Sequence, residues 1–429
     1  MTVTLVPAPL TLSAPPAPHR PDPLAVLGVP GEINLDHAAS APCARAAADA
    51  VAELLPWYAS VHRGAGALSR RCTLAYERAR QTVADFLGAR PGDHVIFTRN
   101  TTDAVNLLAR ALPAGTTVVT FAGEHHANLL PWPRGSVRLP VPASPAEAVR
   151  ALDAALRELR RVGPRSGGGA SELPVLVAVT GASNMTGERW PVAELARAAR
   201  RHDARILVDA AQLAPHAPVD LAALDVDYLA LSGHKLYAPF GVGVLVGRGD
   251  WLDAAPPYLA GGGATSHVGA ATHDVRWATG PARHEAGTPN LLGAVALAAV
   301  CAALGEADRD ALHAREQALL TRLRNGLAAL PHVVELRIFG PDAPRVGIVS
   351  FVVAGRDSAE VAAQLASTHR IGVRDGLFCA HPLARRLLVE AAARSGRRDL
   401  PPTALRASLG LGTTAAEVDA LVSALAQPG

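Results

Sequence analysis

The chain has 429 residues, 49% of them hydrophobic and 18% charged, enough to bury a large core and to fill two or three domains. A net charge of +3 creates no field that would hold nucleic acid or an anionic membrane, and the longest apolar run, residues 291–304, falls short of a membrane span. Four scattered cysteines (Cys43, Cys72, Cys301, Cys379) form no CxxC pair and no metal-ligand spacing, which points to a thiol-reduced, cytoplasmic chain without zinc.

The first 25 residues carry 7 prolines and no basic segment ahead of an apolar core, so they read as a floppy leader and not as a signal peptide. Beyond it, β-rich runs alternate with Ala/Leu/Arg-rich helical stretches, the pattern of βα units around a largely parallel sheet. Strands are expected at 94–98, 116–121, 175–180, 206–208, 228–231 and 241–246, the last two side by side. Helices are expected to open near Thr101 and to span 145–161 and 192–202. The Gly- and Ser-rich stretch 163–171 reads as a surface loop. Residues 256–289 lack periodicity and form a long irregular segment, the kind that usually carries function. Residues 291–329 read as one long helix leading to a second domain, which has strands at 333–338, 347–353 and 405–411 and a final helix opened by a Thr414/Glu417 capping box.

Of the 41 basic residues, 40 are arginine and one, Lys235, is lysine. A chain that uses arginine wherever a cation serves keeps a lysine only for a task a guanidinium cannot perform: losing a proton and attacking a carbonyl. Lys235 stands in LSGHKLYAPFGVG, just past a strand, with Ser232 and His234 beside it as candidate phosphate ligands. Asp209 closes the apolar strand of ILVDAAQ, 26 residues upstream, where a carboxylate is costly unless it meets a cation such as a protonated pyridine. A lysine to form an imine, an acid for a ring nitrogen and hydroxyls for a phosphate are what pyridoxal 5′-phosphate requires. Thr101 and Thr102, at the helix start in RNTTDAVNLLAR, add free N–H groups and hydroxyls for the phosphate. Asp103 reads equally well as a helix-dipole residue. His125, in EHHANLLPW, is placed to stack on the pyridine face. Each of these residues alone has an ordinary structural explanation; their recurrence at successive strand ends does not.

In the order INLDHAASAP, SVHRGAGALS, RNTTDAVNLLA, GEHHANLLPW, SNMTGERWPV, VDAAQLAPH, LSGHK, RHEAGTPN and LRASLGLGTT, the chain resembles the class V aminotransferases of fold type I, in the cysteine desulfurase and selenocysteine lyase branch. The resemblance implies an α/β fold type I PLP-dependent transferase. Its large domain, 45–290, carries a mainly parallel seven-stranded sheet, and its smaller α+β domain is built from 26–44 and 291–429. It implies that Lys235 bonds the cofactor, Asp209 partners the pyridinium, His125 stacks on the ring and moves protons, and Gln212 bonds the phenolic oxygen. Thr101, Thr102, Ser232 and His234 hold the phosphate, and Thr288 reaches across from the second subunit of a homodimer. Asn184 and Arg406 hold the substrate carboxylate, the latter through a guanidinium fork, and Ala39 and His62 complete the substrate site.

By the same resemblance Cys379 is the sulfur nucleophile. In the family's type II members that cysteine lies in an Arg-Thr-Gly-His-His-Cys-Ala loop. Here VRDGLFCAHP keeps Cys379 but puts Leu377 and Phe378 in place of the histidine pair. A second departure is the insert VEAAARSGRRDLPP, within the 27 residues from Cys379 to Arg406, and both changes are expected beside the substrate. The expected reaction converts L-cysteine to L-alanine and leaves the sulfur on Cys379 as a persulfide, with a sulfur-acceptor protein as a further partner. Two alternatives stand open. One is another class V chemistry (selenocysteine lyase, C–S lyase, epimerase or aminotransferase) in which Cys379 only packs. The other is a non-catalytic cofactor-binding regulator, for which a 25-residue leader offers no second module.

Overall fold

The computed structural model describes residues 22–162 and 173–427. Nearly all of the expected leader, and the whole expected loop at 163–171, lie outside the described residues. A short strand β1 (Ile33–Asn34) precedes helices α1 (Arg45–Leu54) and α2 (Ala67–Phe86). One sheet then takes seven strands: β2 (Asp93–Thr98), β3 (Thr117–Phe121), β4 (Val137–Leu139), β5 (Val175–Thr180), β6 (Arg205–Asp209), β7 (Tyr228–Ser232) and β8 (Gly243–Arg248). Helices α3 (Thr101–Ala111), α4 (His126–Leu129), α5 (Pro145–Val162) and α6 (Val192–Arg201) connect them, and α7 (Gly249–Ala254) follows.

The spatial order is β2-β8-β7-β6-β5-β3-β4, and only β8 runs antiparallel to its neighbours β2 and β7. Residues of β5 and β7 are buried throughout, which is why these segments are continuous apolar runs without alternation: helices cover both faces. The carboxyl ends of β2, β3, β5, β6 and β7 therefore open on one side, the side where ligands bind in such sheets.

Residues 256–289 are less irregular than their composition implies. They contain an exposed antiparallel hairpin of β9 (Thr265–Val268) and β10 (Val275–Trp277), then a single 3-10 turn at Gly280–Arg283. Neither strand has a buried face, so neither leaves an alternating signature. The single helix expected over 291–329 is two, α8 (Leu291–Glu306) and α9 (Arg309–Ala328), which meet at 93°. The break falls where the Asp308 carboxylate accepts the Ala311 N–H and caps a new helix. Helix α8 packs with α1 and α2 in the larger core, whereas Leu319, Leu320, Leu323 and Leu327 of α9 belong to the second core. Among the described residues no single helix is long and apolar enough to cross a membrane.

The second core lies against a four-stranded antiparallel sheet ordered β11-β12-β15-β14: β11 (Val333–Glu335), β12 (Ile348–Val353), β14 (Arg374–Gly376) and β15 (Ala404–Ser408). Helices α10 (Ser358–His369), α11 (His381–Ser395) and α12 (Ala415–Ala426) cover it, and the short β13 (Ile371–Gly372) pairs with β1. That pairing ties the first described segment to the C-terminal body. The Thr414/Glu417 capping box opens α12 as expected. The strand expected over 405–411 stops at Ser408, because a Cβ on Gly410 would stand 2.3 Å from His37 Nδ1 and 2.6 Å from Tyr237 Oη, and the chain turns there.

Candidate active site

At the carboxyl ends of the sheet the two bodies enclose a cavity of about 290 Å³. Its wall includes Ala39, Thr101, Thr102, His125, Asn184, Asp209, Gln212, Ser232, His234, Lys235, Cys379 and Arg406, so twelve residues singled out in the sequence meet in one place. His62 and Thr288 do not. They line a separate cavity of about 500 Å³ with Arg80 and Glu285, where His62 Nε2 lies 2.8 Å from Glu77.

The turn after β7 presents Lys235. Burial pushes its ammonium down to about 8, although the nearby Asp209 carboxylate pulls the other way. Asp209 ends β6, is 5% exposed and accepts the Ala211 N–H at 2.9 Å. Burial raises its pKa, the Lys235 charge lowers it, and no ion pair holds it among the described residues. His125 caps α4: its Nδ1 accepts the Ala127 N–H at 3.0 Å, which leaves the ring proton on Nε2. Burial, then the Lys235 and His126 charges, push this imidazole down to about 3, so it is neutral at physiological pH. Gln212 spends one amide N–H on Ala38 O at 2.7 Å.

Helix α3 starts against β7. Ser232 Oγ accepts the Thr101 N–H at 2.8 Å and lies 2.7 Å from Thr101 Oγ1, while the Asn100 side chain caps the helix through Asp103 N. This approach needs Gly243, whose Cβ would stand 2.6 Å from Asn100 Cα. Asp103 itself turns away, to Arg99 at 2.8 Å and to the Tyr258 hydroxyl at 2.9 Å. Its role is structural.

Strand β15 supplies Arg406, 4% exposed. Its Nη1 donates to Asn184 O at 2.9 Å and its Nη2 to Asp36 at 3.1 Å, and Nε is buried without a partner among the described residues. The other Asp36 oxygen pairs with Arg374 at 2.8 Å, and the Phe378 ring covers the guanidinium at 5.1 Å. Cys379 occupies the turn from β14 into α11. Phe378 and Cys379 both have left-handed backbones (φ 51 and 52), and both carbonyls are held: Phe378 O by the Asn184 amide at 2.7 Å, Cys379 O by the His126 N–H at 2.8 Å. This corner turns Phe378 inward and leaves Cys379 exposed. Of the two departures expected beside the substrate, only Phe378 of the Leu377-Phe378 replacement lines the cavity, while Leu377 packs against a hydrophobic cluster mostly of the second body. The insert at 389–402 forms the outer end of α11 and its Gly396 stop, and none of it lines the cavity.

Sequence reasoning missed Asp36 and the inward role of Phe378. Asp36 stands inside INLDHAASAP and could have been found as an acid within a motif of the resemblance; Phe378 was expected beside the substrate, but nothing in the sequence marked its ring as the cover of Arg406.

Three features fit a phosphorylated pyridine aldehyde. Asp209 is a buried acid with no direct ion pair among the described residues, Lys235 lies near it with a depressed pKa, and a glycine lets the hydroxyl-bearing start of α3 close on β7.

A model of the family described as Aminotransferase class-V matches residues 33–421. The cysteine desulfurase of Dickeya dadantii (strain 3937) is 38% identical over 404 residues, covering 91% of this chain and 90% of its own. That of Klebsiella pneumoniae (strain 342) is 36% identical over 407 residues, covering 91% and 92%. Among solved structures, the apo cysteine desulfurase of Thermococcus onnurineus NA1 superposes with a TM-score of 0.78 at 32% identity, over 92% of this chain and 94% of that one. The S-sulfonic acid form of the cysteine desulfurase CsdA of Escherichia coli gives 0.74 at 30% identity, over 92% and 94%.

Proposed function

The chain belongs to the class V aminotransferase family, and we propose that it is a pyridoxal 5′-phosphate-dependent cysteine desulfurase in which Lys235 holds the cofactor and Cys379 receives the sulfur. The observation that carries this reading is one cavity shared by Lys235, Arg406 and an exposed Cys379.

The cofactor, when bound, supplies the electron sink that lets an amino acid lose its α-proton. Thr101, Thr102, Ser232 and His234 would hold its phosphate, Asp209 would meet its ring nitrogen and Gln212 its phenolic oxygen, and His125 would lie against the ring. Lys235, pushed down to about 8, reaches its amine form close to neutral pH and can take the α-proton and return it. Arg406 and Asn184 orient the substrate carboxylate; Asp36 yields Arg406 Nη2 to it and keeps Arg374. At Cys379 the Cβ–S bond of cysteine breaks and an S–S bond forms, so one cysteine and one thiol become one alanine and one persulfide. The exposed corner then offers that sulfur to an acceptor protein in the cytoplasm. Thr288 and His62 act in the neighbouring site of a homodimer.

Purified enzyme given L-cysteine, L-selenocysteine, or L-alanine with pyruvate tests this reading. Alanine from L-cysteine, with sulfide once a thiol reductant is added to discharge the persulfide, both abolished in Cys379→Ser, are the expected products. Selenide alone, or keto-acid formation with the Ser variant fully active, assigns another class V chemistry.

A further inference from the structure

Behind the cofactor cavity, where the two bodies meet, Pro215, His216, Tyr237, the start of α9 and residues 409–411 enclose a smaller space with about 30 Å³ open to a water-sized particle. Its wall is rich in donors and poor in acceptors. Arg309, the first residue of α9, has Nη1 and Nη2 shut from solvent with no hydrogen-bond partner among the described residues. Tyr237 Oη accepts the Leu411 N–H at 2.9 Å, and its own proton meets no acceptor among the described residues. Arg315 donates once, to Thr413 O at 2.8 Å. The one carboxylate in the wall, Glu316, is already committed: Oε2 to His216 Nδ1 at 2.5 Å and Oε1 to the Gly347 N–H at 3.0 Å.

Arg315 is exposed to solvent, so the charge left in the seam is that of Arg309, which has no direct ion pair among the described residues, and a guanidinium shut from water without a partner is costly. Burial accordingly pushes Arg309 below the usual arginine range. A water would accept from Arg309 and Tyr237 but would bring no charge, and its two protons would turn to the Glu316 carboxylate that already serves His216 and Gly347. A halide accepts several donors, adds the missing negative charge and brings no proton. Space for about one or two water-sized particles suits a single-atom anion better than phosphate or an organic acid.

We propose that this seam binds a small monovalent anion of the halide class between the Arg309 guanidinium and the Tyr237 hydroxyl. Tyr237 follows Lys235 by two residues, and Leu409 follows Arg406 by three, so the anion links the turn that carries the lysine to the strand that carries the substrate arginine. It clamps the second body on the first independently of the reaction catalysed.

The test uses holoenzyme crystals grown with bromide in place of chloride, and thermal unfolding in chloride against gluconate at constant ionic strength. An anomalous bromide peak between Arg309 and Tyr237, with an unfolding temperature that rises by a few degrees in chloride for the wild type and not for Arg309→Met, is the expected result. No bromide peak at the seam, or the same chloride response in both proteins, overturns the proposal. The wild-type diffraction decides the matter even where Arg309→Met fails to fold.

Discussion

Asp209 and Glu124 are both buried carboxyls behind the same cavity, yet they differ in what faces them. Asp209 looks toward Lys235. Glu124 is fully buried with no cation, held by the Thr180 N–H at 3.0 Å and the Asn128 amide at 2.9 Å, and burial pushes its carboxyl up to about 8, with the Asp209 charge adding to the rise. A carboxyl whose folded pKa lies above its ordinary value of 4.5 costs stability progressively as pH rises from there to about 8, and no further above that. At about 1.4 kcal/mol per pH unit, the full cost is a few kcal/mol. Glu124→Gln keeps the Thr180 bond, and by turning over Asn128 it gives the unpartnered Asn128 Oδ1 a donor. Urea denaturation should show the Gln variant gaining on wild type from about pH 5 to about pH 8, with the gap then constant; a gap independent of pH would mean that Glu124 is ionised throughout. Phe378 makes a second residue-scale case. Phe378→Ala uncovers Arg406, and losing about 1 kcal/mol of cation–π contact should raise KM for L-cysteine roughly fivefold with kcat nearly unchanged. An unchanged KM would make the ring mere packing. Asp209 and Lys235 were legible in the sequence because each is an ionisable group at or just past the end of an apolar strand, whereas Arg406, in the middle of β15, was legible only through the resemblance carried by LRASLGLGTT. Phe378 was not, since a left-handed phenylalanine over a guanidinium follows from tertiary contacts that no local pattern records.

At the scale of elements, the βα core was readable because strands buried on both faces are unbroken apolar runs bounded by turn residues. What stayed hidden was short or lacked a buried face: β1, β13 and β14 have two or three residues each, and the hairpin of β9 and β10 is largely exposed. The turn holding Cys379 depends on such a piece, because β14 pairs with β15 and sets Arg374 directly opposite Arg406. The start of α3 depends on Gly243 of β8. Gly243→Ala should push Asn100 and the Thr101 hydroxyl away from Ser232. Overpacking of about 1–3 kcal/mol at this contact predicts a loss of about tenfold or more in cofactor affinity with the fold retained, read by cofactor absorbance after dialysis. Full retention of the cofactor would show that the cradle can shift without loss.

For the whole molecule, two features of the single chain look outward. His62 and Thr288 line a cavity apart from Lys235, and Leu55, Trp57 and Tyr58 just after α1 and Leu68 and Leu74 on α2 are exposed. An apolar face of this kind and a site lacking two of its expected residues fit a two-fold dimer with shared sites. Sedimentation should give a dimer, and Thr288→Ala should loosen the cofactor without unfolding the subunit; a fully active monomer would remove Thr288 from the site. Everything proposed for the reaction turns on Cys379 as the thiol that accepts sulfur. That role is tested most directly by mass spectrometry of the holoenzyme after L-cysteine turnover without an acceptor, each of the four cysteine peptides being weighed for an added sulfur atom. The added sulfur is expected on the Cys379 peptide; its absence there, or its appearance only at Cys43, Cys72 or Cys301, would remove Cys379 as the acceptor.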